Sequence, residues 1–336
     1  MSGQTDRSPL SELLWTAWGA LGLSSWSRSG VAAVVDPEAL IVATVVLGDR
    51  RLHLESIDWG IENAPLIMPP RLKRFAGAIG ATAAIDEWIG TVAKHSTAVN
   101  WSAREAAAMP DFERSRKSVA PPAGGVAAVP AAALRFRSVM GATVRTEVVR
   151  AMHVVASNRM PAMSNGDVAR VAGVASNQSK AVLDDLVATG FLSRHGTLKR
   201  RQYAPVAEGH DPMADGIWAP WRVLPYAPWH VAPALVLGLT SLRDLVGSTQ
   251  PHSASVDAIK VIEGLAPVVH QLDSSLAGPV LHGSSADILR SVADWSDMVS
   301  RRVVMTLASG DVVGRTGRPH RHDDWQTNPW GPKPFG

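Results

Sequence analysis

Residues 143–205 read TVRTEVVRAMHVVASNRMPAMSNGDVARVAGVASNQSKAVLDDLVATGFLSRHGTLKRRQYAP. Over 143–157, Val144, Val148, Val149, Met152 and Val155 fall on one stripe at helical spacing. Ser164-Asn165-Gly166-Asp167 has the form of a helix start: a hydroxyl to accept from exposed backbone N–H groups, with an acid three positions on. The short helix after it carries Val168, Ala169 and Ala172, and Gly173 is expected to stop it. Ser176 is expected to cap a third helix, with Val182, Leu183, Leu186 and Val187 inward and Gly190 at its end.

Phe191-Leu192-Ser193-Arg194 then reads as a strand, His195-Gly196-Thr197 as a turn, and Lys199-Arg200-Arg201-Gln202-Tyr203 as a returning strand. Three helices followed by a hairpin with a basic tip is the order of a winged helix-turn-helix. In that arrangement the third helix enters the major groove by its N-terminal residues, here Ser176, Asn177, Gln178, Ser179 and Lys180. Asn and Gln can pair bidentately with adenine edges. Arg194, Lys199, Arg200 and Arg201 suit phosphates or the minor groove. Ser164, at the start of the second helix, completes the candidate DNA-binding set.

The run from Asp167-Val168-Ala169 to Gly173, then from Ser176 to Gly190-Phe191-Leu192, resembles bacterial winged-helix regulators of the MarR, ArsR and GntR kind. That resemblance implies a sequence-specific DNA-binding transcriptional regulator, a repressor; on the residues themselves, no cofactor and no metal is expected. A second resemblance rests on Trp15-Thr16-Ala17-Trp18, Asp36-Pro37-Glu38-Ala39-Leu40, Arg71-Leu72-Lys73 and Leu134-Arg135-Phe136-Arg137. It is to actinobacterial antitoxin-like regulators paired with nucleotidyltransferase toxins, and it implies autoregulation of a toxin-antitoxin operon and a toxin as protein partner. The alternative is an interaction protein that uses its winged helix to bind a partner protein. The basic wing speaks against it.

Charge is unevenly spread. The whole chain carries 33 Lys and Arg against 30 Asp and Glu, a net charge of +3. Residues 143–205 alone hold nine basic and four acidic residues, so positive charge gathers where nucleic acid would bind. Cysteine is absent, so no disulfide and no thiolate metal site can form. The first nine residues lack the plan of a signal peptide, and no apolar run approaches the ~20 residues needed to span a bilayer. A cytoplasmic protein is expected.

The fold class expected is mainly α: a helical N-terminal domain over 1–102, a linker over 103–133 and a winged helix-turn-helix with a small β-hairpin over 134–206. A helical C-terminal domain over 207–309, the site of homodimerisation, and a flexible tail over 310–336 complete it. Helices are predicted over 10–21, 37–47, 52–63, 71–79 and 83–94, then over 232–246, 253–272 and 285–307. The second is the clearest, with Asp36 as cap, Pro37 in the first position and Glu38 in the first turn. Six tryptophans lie between Trp15 and Trp101 and six between Trp218 and Trp330, which suggests separate cores at the two ends. The N-terminal domain is expected to fold alone and, with its acids opposing its bases, not to grip DNA strongly.

Motifs for other chemistry are missing. No phosphate-binding glycine loop and no G-x-S-x-G nucleophile elbow occurs, and an enzyme is not expected. His320, His322, Asp323 and Asp324 have ligand chemistry, but a metal site needs ordered ligands with their own supporting shell. Asp58 and Glu62, one helical turn apart, read as solvated carboxylates rather than an acid–base pair. Trp218, Trp221 and Trp229 could line an effector cage, yet packing accounts for tryptophan equally well.

Overall fold

Asp36-Pro37-Glu38 opens the central helix as its sequence predicts. In the computed structural model, α2 runs Pro37–Leu47, Asp36 accepts the Ala39 N–H at 3.2 Å, and Gly48 closes it in the left-handed region. The structure describes residues 8–23, 30–99, 101, 108–109, 112–114, 129–157, 162–197, 201–205, 227–273 and 275–309. Around α2 stand α1 (Pro9–Ala20), α3 (Arg50–Asn63), α4 (Pro69–Ala78) and α5 (Thr82–His95). Then follow α6 (Ala132–Met140), α7 (Val144–Ser157), α8 (Asn165–Ala172), α9 (Ser176–Ala188), α10 (Ala232–Val246), α11 (Pro251–Leu272) and α12 (Ser285–Ser309). Strands β1 (Met163–Ser164), β2 (Leu192–His195) and β3 (Gln202–Pro205) form one antiparallel sheet in the order β1-β3-β2. The protein is mainly helical with this one small sheet. None of the helices among the described residues is long and apolar enough to cross a membrane.

The two ends of the chain share one core, against the expectation of separate ones. A single cluster of buried side chains joins Leu14, Trp18, Leu40 and Trp59 to Leu235, Leu239, Val292 and Leu307. The reason lies in α2. Its residues are apolar on nearly every face, and a helix apolar all round must be covered all round. Helices α1, α3 and α4 cover part of it and α10 covers the rest, while α11 and α12 pack on α10 and α12 returns against α1. Backbone contacts close the ring: Ala32 and Ala33 N–H both donate to Ala308 O, at 2.7 and 3.2 Å. Helices α1–α5 and α10–α12 therefore form one helical body.

Tryptophan fills that body, and Trp18 and Trp59 find partners for their N–H groups. Trp18 meets Trp59 edge-on at 5.1 Å, donating to Thr44 Oγ1, and Trp59 donates to Leu21 O. Trp229 is fully buried in the shared core, so it lines no open cage; Trp218 and Trp221 lie outside the described residues. Asp58 is buried and Glu62 is exposed, paired with Arg114, so they share no site. Described residues of the segment read as a linker touch the body: Phe112 packs on His95, and Pro130 O accepts from Val35 N–H at 3.1 Å. His320, His322, Asp323 and Asp324 fall outside the described residues, among which no cluster of three His, Asp or Glu side chains could hold a metal.

Candidate nucleic-acid interface

A second, smaller core belongs to α7, α8, α9 and the sheet. Val148, Met152, Val168, Ala172, Leu183, Leu186, Leu192 and Tyr203 fill it. Ser164 caps α8 as expected, accepting the Asp167 N–H at 3.2 Å and donating to Asp167 Oδ2 at 2.6 Å. Its hydroxyl is thus already committed within the cap. Gly173 ends α8 at a φ of 65°, where a side chain would be strained.

The third helix starts one residue earlier than expected. Ala175 is its N-cap and Ser176 its first helical residue, so Ser176 does not cap the helix. Instead Ser176 Oγ and O accept from Asn165 Nδ2 at 2.7 and 3.0 Å, which ties the start of α9 to the start of α8. Ser176, Asn177, Gln178 and Lys180 are exposed. Asn177 turns Oδ1 to the Gln178 N–H at 2.9 Å. Ser179 is corrected: it is 0% exposed and cannot touch a groove. Its position, three residues before Val182 and four before Leu183, puts it on the inward stripe, as helical periodicity counted from Leu183 shows.

The sheet brings more positive charge beside α9. Leu192 and Arg194 share the face turned to α9, since alternate residues of a strand point the same way. Asp184 of α9 takes the Tyr203 hydroxyl at 3.2 Å and lies 3.8 Å from both Arg194 and Lys180. Arg194 and Lys180 remain about half exposed beyond that acid, with room for further partners. Among the described residues the returning strand runs Gln202–Pro205, with Arg201 half-buried just before it. Lys199 and Arg200 lie outside the described residues. Strand β1 was not anticipated, because two residues carry no alternation to read.

Behind this face lies a buried group of charges that the sequence reading left unremarked. Arg137 of α6 grips Glu38 of α2 with two nitrogens, at 2.6 and 2.7 Å, and donates Nε to Glu147 of α7 at 2.7 Å. Arg150 binds Glu147 at 2.8 and 3.0 Å and reaches Asp36 at 3.4 Å. Arg71 of α4 meets Asp36 at 2.5 Å, pairs with Glu38 and lies 3.5 Å from Glu147. Three carboxylates face three guanidiniums, and all six side chains are buried. Burial alone would raise the pKa of Asp36, but Arg71 and Arg150 outweigh it and hold it below its ordinary value. At Glu147, burial is likewise outweighed by Arg137, Arg71 and Arg150, and its carboxyl lies well below the usual range. The clue in the sequence was that a helix covered on every side must also bury its first-turn acids.

Gly173 touches the body at the same place. A Cβ there would lie 2.7 Å from Phe75 Cζ and 2.9 Å from the Arg71 guanidinium. Gly173→Ala is therefore expected to cost about 2–5 kcal/mol, from left-handed strain and overpacking together. A urea midpoint within error of the unsubstituted protein would contradict this contact.

The chain matches none of the protein-family models, curated proteins or solved structures with which it was compared.

Proposed function

We propose that the protein is a sequence-specific DNA-binding transcriptional regulator, acting as a repressor, and that α7–α9 with β2 and β3 work as a winged helix. The observation that carries the proposal is the outer surface of α9. Two amide side chains and a lysine stand exposed at the start of a helix whose inner side is held by its own core. Arg194 of the adjoining strand stands near Lys180, the two sharing Asp184 at 3.8 Å. In this reading Asn177 and Gln178 face base edges, while Lys180, Arg194, Lys199, Arg200 and Arg201 neutralise phosphates. The charge excess survives the loss of buried groups. With Arg150 and Glu147 set aside, residues 143–205 still carry eight basic against three acidic residues.

Binding to duplex fragments from upstream of its own gene is the test, followed by anisotropy across a salt series. Changing Lys199, Arg200 and Arg201 together to Ala should weaken binding to every sequence and flatten the salt slope by about 2–3, at ~0.9 per phosphate contact. Asn177→Ala or Gln178→Ala should instead erode discrimination by about 1–3 kcal/mol per lost base contact. Unchanged binding after the triple substitution would sink the proposal and favour a protein-docking role.

The assembly proposed is a homodimer through α11 and α12, since regulators of this kind read paired half-sites. Supporting it, Val256, Met298 and Met305 are 45%, 44% and 54% exposed on helices whose other faces fill the core. Light scattering that gave a monomer at micromolar concentration, with DNA binding intact, would refute the dimer.

A further inference from the structure

The sequence assigns DNA contact to the central module and none to the N-terminal helices. The geometry around Gly173 points elsewhere. Arg71 and Phe75 project from α4 onto Gly173, the glycine between α8 and α9. Ser176, the first residue of α9, is only three positions further on, at most ~10 Å along even a fully extended chain. Helix α4 thus borders the approach to the proposed recognition helix.

One cation on α4 is suited to use that position. On a helix, residues three and four apart are surface neighbours, with Cβ atoms ~5–6 Å apart. Arg74 follows Arg71 by three residues and adjoins Phe75, so it stands at the rim of the face that meets Gly173. It is exposed, and it has no ion-pair partner among the described residues. Lys73 differs, being paired with Asp86 at 2.9 Å. Beyond Arg74, Gly77 and Ala78 are exposed and small, leaving space for a close backbone approach.

Position matters as much as charge, because a long cation on a loosely tethered domain would lose entropy on binding. Arg71 removes that freedom. Its guanidinium belongs to the buried charge group that also contains Glu147 and Arg150 of α7. The helix that carries Arg74 is thereby fixed relative to α7, α8 and α9.

We propose that α4 of the helical body forms part of the same duplex-binding surface, with Arg74 contacting a backbone phosphate beside the start of α9. The inference rests on the reading of α9 as a DNA-binding helix. It makes the interface composite: amides and cations from the central module, and a flanking phosphate contact from the body.

The test uses the full-length chain and a fluorescently labelled duplex from upstream of its own gene, titrated at several salt concentrations. Arg74→Ala should weaken binding several-fold at low salt and lessen the salt slope by about 0.9, the value for one phosphate contact. Arg74→Lys, which keeps the charge, should retain most of the slope. Discrimination between the upstream duplex and a scrambled one should stay the same in both variants, since phosphate contacts carry no sequence information. Circular dichroism melts of both variants should match the unsubstituted protein, because the side chain is exposed. If the unsubstituted chain binds and Arg74→Ala binds with the same affinity and slope, the inference fails while the DNA reading stands. If the unsubstituted chain binds no duplex, both fail.

Discussion

Glu147→Gln is expected to destabilise the protein by about 3–5 kcal/mol, the usual cost of removing one partner from a buried ion group. In a chain of 336 residues that corresponds to a fall of roughly 4–7 °C in the unfolding midpoint. The carboxylate accepts from Arg137 and from two nitrogens of Arg150, with Arg71 3.5 Å away. The amide keeps the shape but leaves three guanidiniums facing two carboxylates, all of them buried. The same group sets an acid response. Asp36 and Glu147 have folded-state pKa values below their ordinary ones, so the unfolded chain binds protons first as pH falls. The stability they contribute is present above the ordinary carboxylate range and is lost as pH drops through their lowered values. His230 adds to this: burial, with Arg170 beside it, pushes its pKa down to about 4. Its share is present above the ordinary histidine value and fades as pH falls from there toward 4. Urea melts between neutral and acid pH should therefore show stability falling steadily, and less steeply for Glu147→Gln. A loss below about 1 kcal/mol at neutral pH, or an unchanged acid slope, would mean that the group is not clamped as described.

A chain ending at Pro205 should fail to fold its N-terminal helices. Removing α10–α12 strips α2 of its cover from α10 and α1 of its cover from α12. Leu235, Val236 and Leu239 are all buried in the shared core, and burying each such side chain is worth about 1.5–3 kcal/mol. These three alone come to about 4.5–9 kcal/mol, comparable with the ~5–15 kcal/mol by which a domain is stable. A truncated chain should show a shallow, non-cooperative melt and weak near-ultraviolet dichroism from its tryptophans. A fragment starting at Pro130 should suffer in the same way, since α10 would then lack α2. Residues 143–205, with a core of their own, are the part that can tolerate separation best. Cooperative unfolding of the 1–205 chain, with native tryptophan signals, would contradict the shared core.

How far the sequence could be read depended on the range of the interaction. Local signals were reliable: the Asp36 cap, the Ser164 cap with Asp167, and Gly173 as a stop all act within one turn of helix. Ser176 misled because a serine before a helix looks alike whether it is the cap or the first helical residue. Only the partner, Asn165 eleven residues away, tells the two apart. Ser179 was counted as an outward residue by its place at the start of the helix, although its phase relative to Leu183 already turned it inward. Long-range features were harder. Arg137 and Glu38 are 99 residues apart and their pairing leaves no periodic trace. Tryptophan counts at the two ends of the chain could not reveal that both ends fill one core, because composition is silent on which faces meet.

The ring closed by α2 and α10 also sets a schedule for synthesis. Helix α2 ends at Leu47 and α10 begins at Ala232, so about 185 residues are made before its cover exists. At ~5–20 residues per second, α2 waits about ten to forty seconds with an apolar face open to solvent. During that interval the nascent chain is sticky, and its charged residues Asp36 and Glu38 are the nearest brake on association. Contacts between such distant segments also make folding slow after release, since loop closure must precede the gain from packing. Demand for chaperone capture should accordingly peak on ribosomes that have passed α2 and have not yet released α10.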